Sequence, residues 1–147
     1  MKKKEVRQVL DALKVIKVTK IEDEKLRNTI ISNHLALLGI KRKIDQDVDD
    51  ARSAFLGPFA EDIKQIAILQ REMSHEADPA KKLEIAGKID SHKEYLEAYD
   101  AFCQAMDKMG EEEVSGYTPI DAERFCLEYR KQDYDFDIVE RIYPLFE

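Results

Sequence analysis

Few residues in this chain have the type and spacing for chemistry. Glu72 and His75 form a Glu-x-x-His pair, the spacing with which di-iron bundle proteins point two ligands into a helical core. Such a centre needs two of these pairs and two further glutamates, and the sequence holds one pair. His34 and His92 follow Ile31 and Ile89 by three residues and have no such partner. The plainer expectation for Glu72 and His75 is a polar helix end just before Asp78-Pro79, with no tightly bound ion.

Carboxylates offer a second possibility. Asp45, Asp47, Asp49 and Asp50 cluster, with Glu61 and Asp62 beyond a break, and Glu97-x-x-Asp100 could supply a facing pair. Acidic residues on facing helices suit Mg²⁺, which takes carboxylates and keeps waters, so an all-α nucleotide pyrophosphohydrolase is the enzymatic alternative. Against it, the aspartates flank Ile44 and Val48 as an ordinary solvated helix face does. There is no Gly-rich phosphate loop, no Gly-x-Ser-x-Gly and no Cys-x-x-Cys. Cys103 and Cys126 sit among apolar residues and make no disulfide framework. No catalytic, cofactor-binding or metal-binding residue is therefore assigned, and the expectation is a protein without enzymatic activity.

A third possibility is nucleic acid. Residues 1–43 hold 12 Lys+Arg and 5 Asp+Glu, a local +7, within a chain of net charge −7. Lys2, Lys3, Lys4, Arg7, Lys14, Lys17, Lys20, Lys25 and Arg27 could neutralise phosphates. No aromatic residue for base stacking occurs before Phe55, however. The alternative partner is the chain's own acidic end, since residues 111–147 hold 4 Lys+Arg and 11 Asp+Glu.

The elements that carry these residues read as helices. A charged fraction of 37% with 5 Gly and 4 Pro suits long solvent-exposed helices, and 44% hydrophobic residues suffice for a core. Val6, Val9, Leu10, Leu13 and Ile16 mark a short amphipathic helix near Lys3–Lys17. Thr19-x-x-Glu22 has the form of a capping box and predicts the start of a longer helix. Leu26, Ile30, Leu37, Ile44, Val48, Ala51 and Phe55 then hold one stripe for about eight turns, a span of roughly 50 Å. The 11-residue spacing of Leu26, Leu37 and Val48 predicts a nearly straight helix.

Gly57-Pro58 is either a turn, giving an up-down-up bundle, or a kink, making residues 21–76 one arm of a long hairpin. Phe59, Ile63, Ile66, Leu69 and Met73 predict a third helix with these residues inward. Asp78-Pro79 starts a fourth that carries Ala86, Ile89, Leu96, Tyr99, Cys103 and Met106 on one face and stops at Gly110. After a loop at Glu111–Ser115, Thr118-Pro119 starts a shorter helix with Asp121 and Glu123 in its first turn. Tyr134, Phe136 and Ile138 alternate as a strand would, but an extended linker into a last turn at Ile138–Tyr143 is preferred.

All six Tyr lie from Tyr95 onward, joined by Phe102, Phe125, Phe136 and Phe146, which predicts an aromatic cap. The expected fold is thus all-α: an elongated helical bundle or antiparallel coiled-coil-like hairpin over 1–110, with an acidic, aromatic-rich helical cap over 111–147.

Val6 to Ile16, the run Lys20 to Asn28 and the ending Asp137 to Phe146 together resemble small helical proteins of unknown function encoded by phages and prophages of gut Bacteroidales. The resemblance implies a virion, assembly or host-interaction role and brings no functional residue with it. Met1-Lys2-Lys3-Lys4 is followed by Glu5, Arg7, Gln8 and Asp11 rather than an apolar run, so neither a signal peptide nor a membrane span is expected. The reading is a cytoplasmic or virion-associated structural or interaction protein that binds a protein partner or itself, without cofactor, small-molecule substrate or membrane.

Overall fold

The computed structural model describes every residue except Tyr134. It is 80% helical, with no strand among the described residues. Seven α-helices follow in order among them: α1 Val6–Val15, α2 Glu24–Leu56, α3 Ala60–His75, α4 Pro79–Asp90, α5 Lys93–Glu111, α6 Ala122–Tyr129 and α7 Phe136–Ile142. Short 3₁₀ turns at Lys3–Glu5, Val18–Lys20, Gly57–Phe59 and Tyr143–Leu145 join or extend them. The packing divides the chain into two units, residues 1–46 with 109–147, and residues 47–108. The sequence-based boundary at 110 lies close to the second crossing; the first crossing, at 46/47, falls inside α2, and the C-terminal segment packs with residues 1–46.

The first unit holds the core. Val6, Val9, Leu10 and Leu13 of α1 are buried with Leu26, Ile30 and Leu37 of α2, and with Phe125, Tyr129, Ile138, Ile142 and Leu145. α1 packs against α7. Phe125 stacks on Tyr129 at 5.3 Å between ring centroids and tilts against Phe146 at 5.7 Å, so the aromatic cap is part of this core.

The start of α2 departs from the predicted capping box. Ile21 is buried, and Val18–Lys20 forms a 3₁₀ turn, so the helix begins only at Glu24. Asp23 caps it instead: its carboxylate accepts the Leu26 N–H at 2.9 Å, which holds the carboxyl below its ordinary range. Glu22 turns outward to Lys131, at 2.7 Å. Glu128 of α6 accepts the N–H groups of Glu22 at 2.7 Å and Asp23 at 3.4 Å. The later helix behaves similarly: Asp121, not Thr118, is its cap, accepting the Arg124 N–H at 2.8 Å.

Asn33 is a buried polar side chain at the α2 interface, 1% exposed. Its amide donates to the Thr118 carbonyl at 2.7 Å and its carbonyl accepts the Thr118 N–H at 2.8 Å. The segment so fixed carries both chain ends. Lys2 bridges Glu113 antiparallel, and Ile120 bridges Phe146 parallel.

The second unit is a helical hairpin. Gly57-Pro58 is not a chain reversal: α2, the Gly57–Phe59 turn and α3 form one 52-residue helical run. Pro58 lacks the N–H that α-helical bonding would use, and a single 3₁₀ turn absorbs the loss. The chain reverses at Glu76–Asp78, where Asp78 caps α4 through the Ala80 N–H at 3.0 Å. α4 packs back on α3. The predicted fourth helix is interrupted at Ser91-His92, because Ser91 Oγ donates to the Lys88 carbonyl at 2.6 Å and His92 Nδ1 meets Asp62 Oδ1 at 2.8 Å. Phe55 pairs with Phe102 at 6.3 Å and Phe59 with Tyr95 at 6.1 Å, in antiparallel register.

The predicted strand alternation includes Tyr134, which lies outside the described residues; Phe136 and Ile138 belong to α7.

Three outcomes follow for stability. Leu37 is fully buried, so Leu37→Ala should cost roughly 2–5 kcal/mol in denaturant unfolding. Lys41→Ala should cost under about 1 kcal/mol, because Lys41 is a flank residue paired with Asp45; equal effects would put the helical phase wrong. Asn33→Ala leaves two backbone groups of Thr118 without their partner and should cost about 1–3 kcal/mol.

The Lys2, Lys4 and Glu111 cluster adds a pH dependence. Hydrogen bonds from Lys2 and Lys4 hold the Glu111 carboxyl down to about 2, against an ordinary value of 4.5. A depressed carboxylate contributes stability that is complete above its unfolded value and lost as pH falls through the folded one. Wild type should therefore exceed Glu111→Gln in stability at neutral pH, and the difference should fade between about pH 4.5 and 2. A difference unchanged at pH 2 would contradict the assignment.

Candidate functional site

The residues singled out for chemistry do not converge. Glu72 and His75 are exposed at the end of α3, and His75 Nδ1 lies 2.8 Å from the Arg71 carbonyl of the preceding turn. Asp45 is engaged by Lys41 and lies 3.9 Å from Arg7, and Asp49 meets Arg52 at 3.4 Å. Glu97 is exposed, and Asp100 accepts from Gln104 at 2.9 Å. Among the described residues, no group of three or more His, Cys, Asp or Glu could hold a metal ion. Both cysteines are free and half-buried.

The basic start meets acids of the same unit. Glu111 binds both Lys2 and Lys4, and Glu112 binds Lys3 at 2.6 Å. Lys17 reaches Asp133 at 3.4 Å, and Arg124 pairs with Asp23. The charges available to a phosphate backbone are correspondingly fewer than the sequence count suggests. Glu111, which takes two of these lysines, and Glu128, which accepts the Glu22 and Asp23 N–H groups and pairs with Lys131, were not singled out by sequence reasoning. Asn33 had a legible signal, since it lies in phase with Leu26, Ile30 and Leu37 and so falls on the core face.

What the structure offers instead are surfaces. On the first unit, a concavity of about 350 Å³ opens between the end of α1 and the first half of α2. Buried Leu13, Ile16 and Ile30 form its floor; Ile31 and Leu35 stand at its edge, 41% and 64% exposed. Among the described residues, Lys14 and His34 supply its ionisable lining. A larger groove, about 680 Å³, is polar and contains the Asp23 and Arg124 pair.

On the hairpin, the apolar stripe is incompletely covered. Leu56 and Ile66 are its only buried hydrophobic side chains. Ile63, expected inward, is 39% exposed, and Tyr99 is 47% exposed beside Tyr95, 6.1 Å away between ring centroids. Phe55, Ile68 and Leu83 are exposed as well. Helical phase sets Ile63 one turn from Phe59 and Tyr99 one turn from Tyr95, so these two exposed side chains flank the Phe59–Tyr95 contact and mark a seam of the hairpin; Ile68 lies on another face of α3. No helix among the described residues is long and apolar enough to cross a membrane. Comparison with protein-family models, with curated proteins and with solved structures finds no match to this chain.

Proposed function

We propose that this is a non-enzymatic helical interaction protein whose working surface is the hairpin seam. The observation that carries the reading is the mismatch between the apolar content of the hairpin and its burial. Sixty-two residues bury two hydrophobic side chains, while Phe55, Ile63, Ile68, Leu83 and Tyr99 remain exposed. Exposed aromatic and aliphatic side chains such as Ile63 and Tyr99, beside a covered aromatic contact, are the raw material of protein interfaces. The dispersal of the carboxylates and the internal pairing of the basic start support this reading over a Mg²⁺-dependent hydrolase or a nucleic-acid module. A virion, assembly or host-interaction setting belongs to the same proposal and rests on the resemblance of the Lys20–Asn28 and Asp137–Phe146 segments.

Two measurements test it. Purified protein should show no Mg²⁺-dependent hydrolysis of nucleoside triphosphates; turnover that Glu97→Gln abolishes would overturn the non-enzymatic reading. Sedimentation should show species heavier than the 17.1 kDa chain that grow with concentration and are lost in Tyr99→Glu. A monomer at every concentration would remove self-association from the proposal.

A further inference from the structure

The seam needs a counterpart, and the first unit carries a surface of matching chemistry. We propose that the seam of one copy docks into the Leu13–Ile30 concavity of a second copy, so that the chain associates through two different surfaces. The inference rests on the interaction reading above and names its partner.

The concavity is suited to receive side chains. Its floor residues Leu13, Ile16 and Ile30 belong to the buried core, so the surface is preformed and its shape costs little to maintain on binding. Leu35 and Ile31 extend the apolar surface outward from it. A volume of about 350 Å³ lies at the small end of the range for ligand sites. It is open to solvent rather than enclosed, which suits an aromatic or branched side chain presented by a helix better than a free small molecule.

Charge decides what presents that side chain. The lining is apolar with two nitrogen bases, Lys14 and His34, and among the described residues Lys14 pairs with the exposed Asp11 of its own helix at 3.0 Å. An occupant with apolar anchors among acids is therefore favoured. The hairpin meets this description: residues 47–108 hold 8 Lys+Arg and 14 Asp+Glu, a net −6. Asp62 lies next to Ile63, and Asp100 next to Tyr99. Residues 1–46 with 109–147 hold 16 and 17, a net −1. Seam against seam would bring together two units that each carry net −6, whereas seam against concavity sets the acidic unit against a nearly neutral one with a lysine at the contact. A contact between unlike surfaces leaves each copy with one surface of each kind to offer further copies.

That consequence gives the test. Leu35→Glu blocks the concavity and leaves the seam; Ile63→Glu blocks the seam and leaves the concavity. Both residues are exposed, and helical circular dichroism checks that each variant folds; Tyr99→Glu replaces Ile63→Glu if the latter loses helix. Sedimentation of the full chain should show concentration-dependent growth for wild type and a 17.1 kDa monomer for each variant alone. An equimolar mixture of the two variants should form a dimer of twice that mass and nothing larger, because only one intact contact can form. If Leu35→Glu assembles like wild type while Ile63→Glu does not, the seam pairs with itself: this inference fails and the interaction reading stands. A mixture that stays monomeric overturns the inference as well. Wild type that remains monomeric throughout overturns both the inference and self-association.

Discussion

The first unit depends on a single buried amide. Asn33 sits where helical phase would place a leucine, and its carboxamide is matched on both sides by the backbone of Thr118. Such a group is costly to bury alone and gains little over a hydrophobe when satisfied, so its main effect is on geometry. It allows one register between α2 and the segment around Thr118. That register carries the rest: the Val114 N–H donates to the Met1 carbonyl at 3.0 Å, and the Ile120 N–H donates to the Leu145 carbonyl at 2.8 Å. Both ends of the chain are thereby laid onto the core that α1, α6 and α7 complete. Among the described residues, no buried side-chain polar atom lacks a partner, so the arrangement leaves no unpaired group to favour a competing register.

The hairpin is held by a different balance. Along α2 the same stripe is buried at Leu26, Ile30 and Leu37, half-buried at Ile44, and exposed at Phe55. The sequence period does not change over this distance; the number of neighbouring elements does. In the first unit, residues from α1, α6, α7 and the C-terminal turn cover the stripe. In the second, each helical arm has one other arm to pack on, and two helices can cover only a narrow band of each other. Edge-on and tilted aromatic pairs widen that band, because rings reach farther than aliphatic side chains. The residual exposure is a geometric property of a two-helix unit and so persists unless a further surface is added.

Much of this was legible in the residues, and the parts that were not have physical reasons. The stripe from Leu26 to Phe55 identified α2, because one face keeps its period regardless of what covers it. The cap did not follow from Thr19-x-x-Glu22, because burial of Ile21 outweighed a local hydrogen-bond pattern of comparable strength. Gly57-Pro58 was ambiguous, since the outcome turns on whether the apolar face continues beyond it: Phe59 and Ile66 continue the face, and the helix does too. The interruption at Ser91-His92 was hidden because it depends on Asp62, thirty residues away on another helix. Exposure of Ile63 and Tyr99 was hidden for the same reason as the hairpin itself: periodicity reports which face is apolar, not whether anything lies against it.

The charge distribution shows how sequence asymmetry and surface asymmetry differ. Read along the chain, the contrast is between a basic start and an acidic remainder. In the fold, Lys2, Lys3, Lys4 and Lys17 are met by Glu111, Glu112 and Asp133, so the acids of the C-terminal segment are spent within the first unit. Exposed pairs of this kind are individually weak, but they cancel field at long range even where they add little stability. The unit that looked most basic ends nearly neutral, at −1, and the chain's net negative charge falls mostly on residues 47–108, at −6. The unit whose apolar stripe is least covered therefore also carries most of the net charge. Exposed apolar side chains and net negative charge thus coincide on residues 47–108, so a basic, apolar surface would match both.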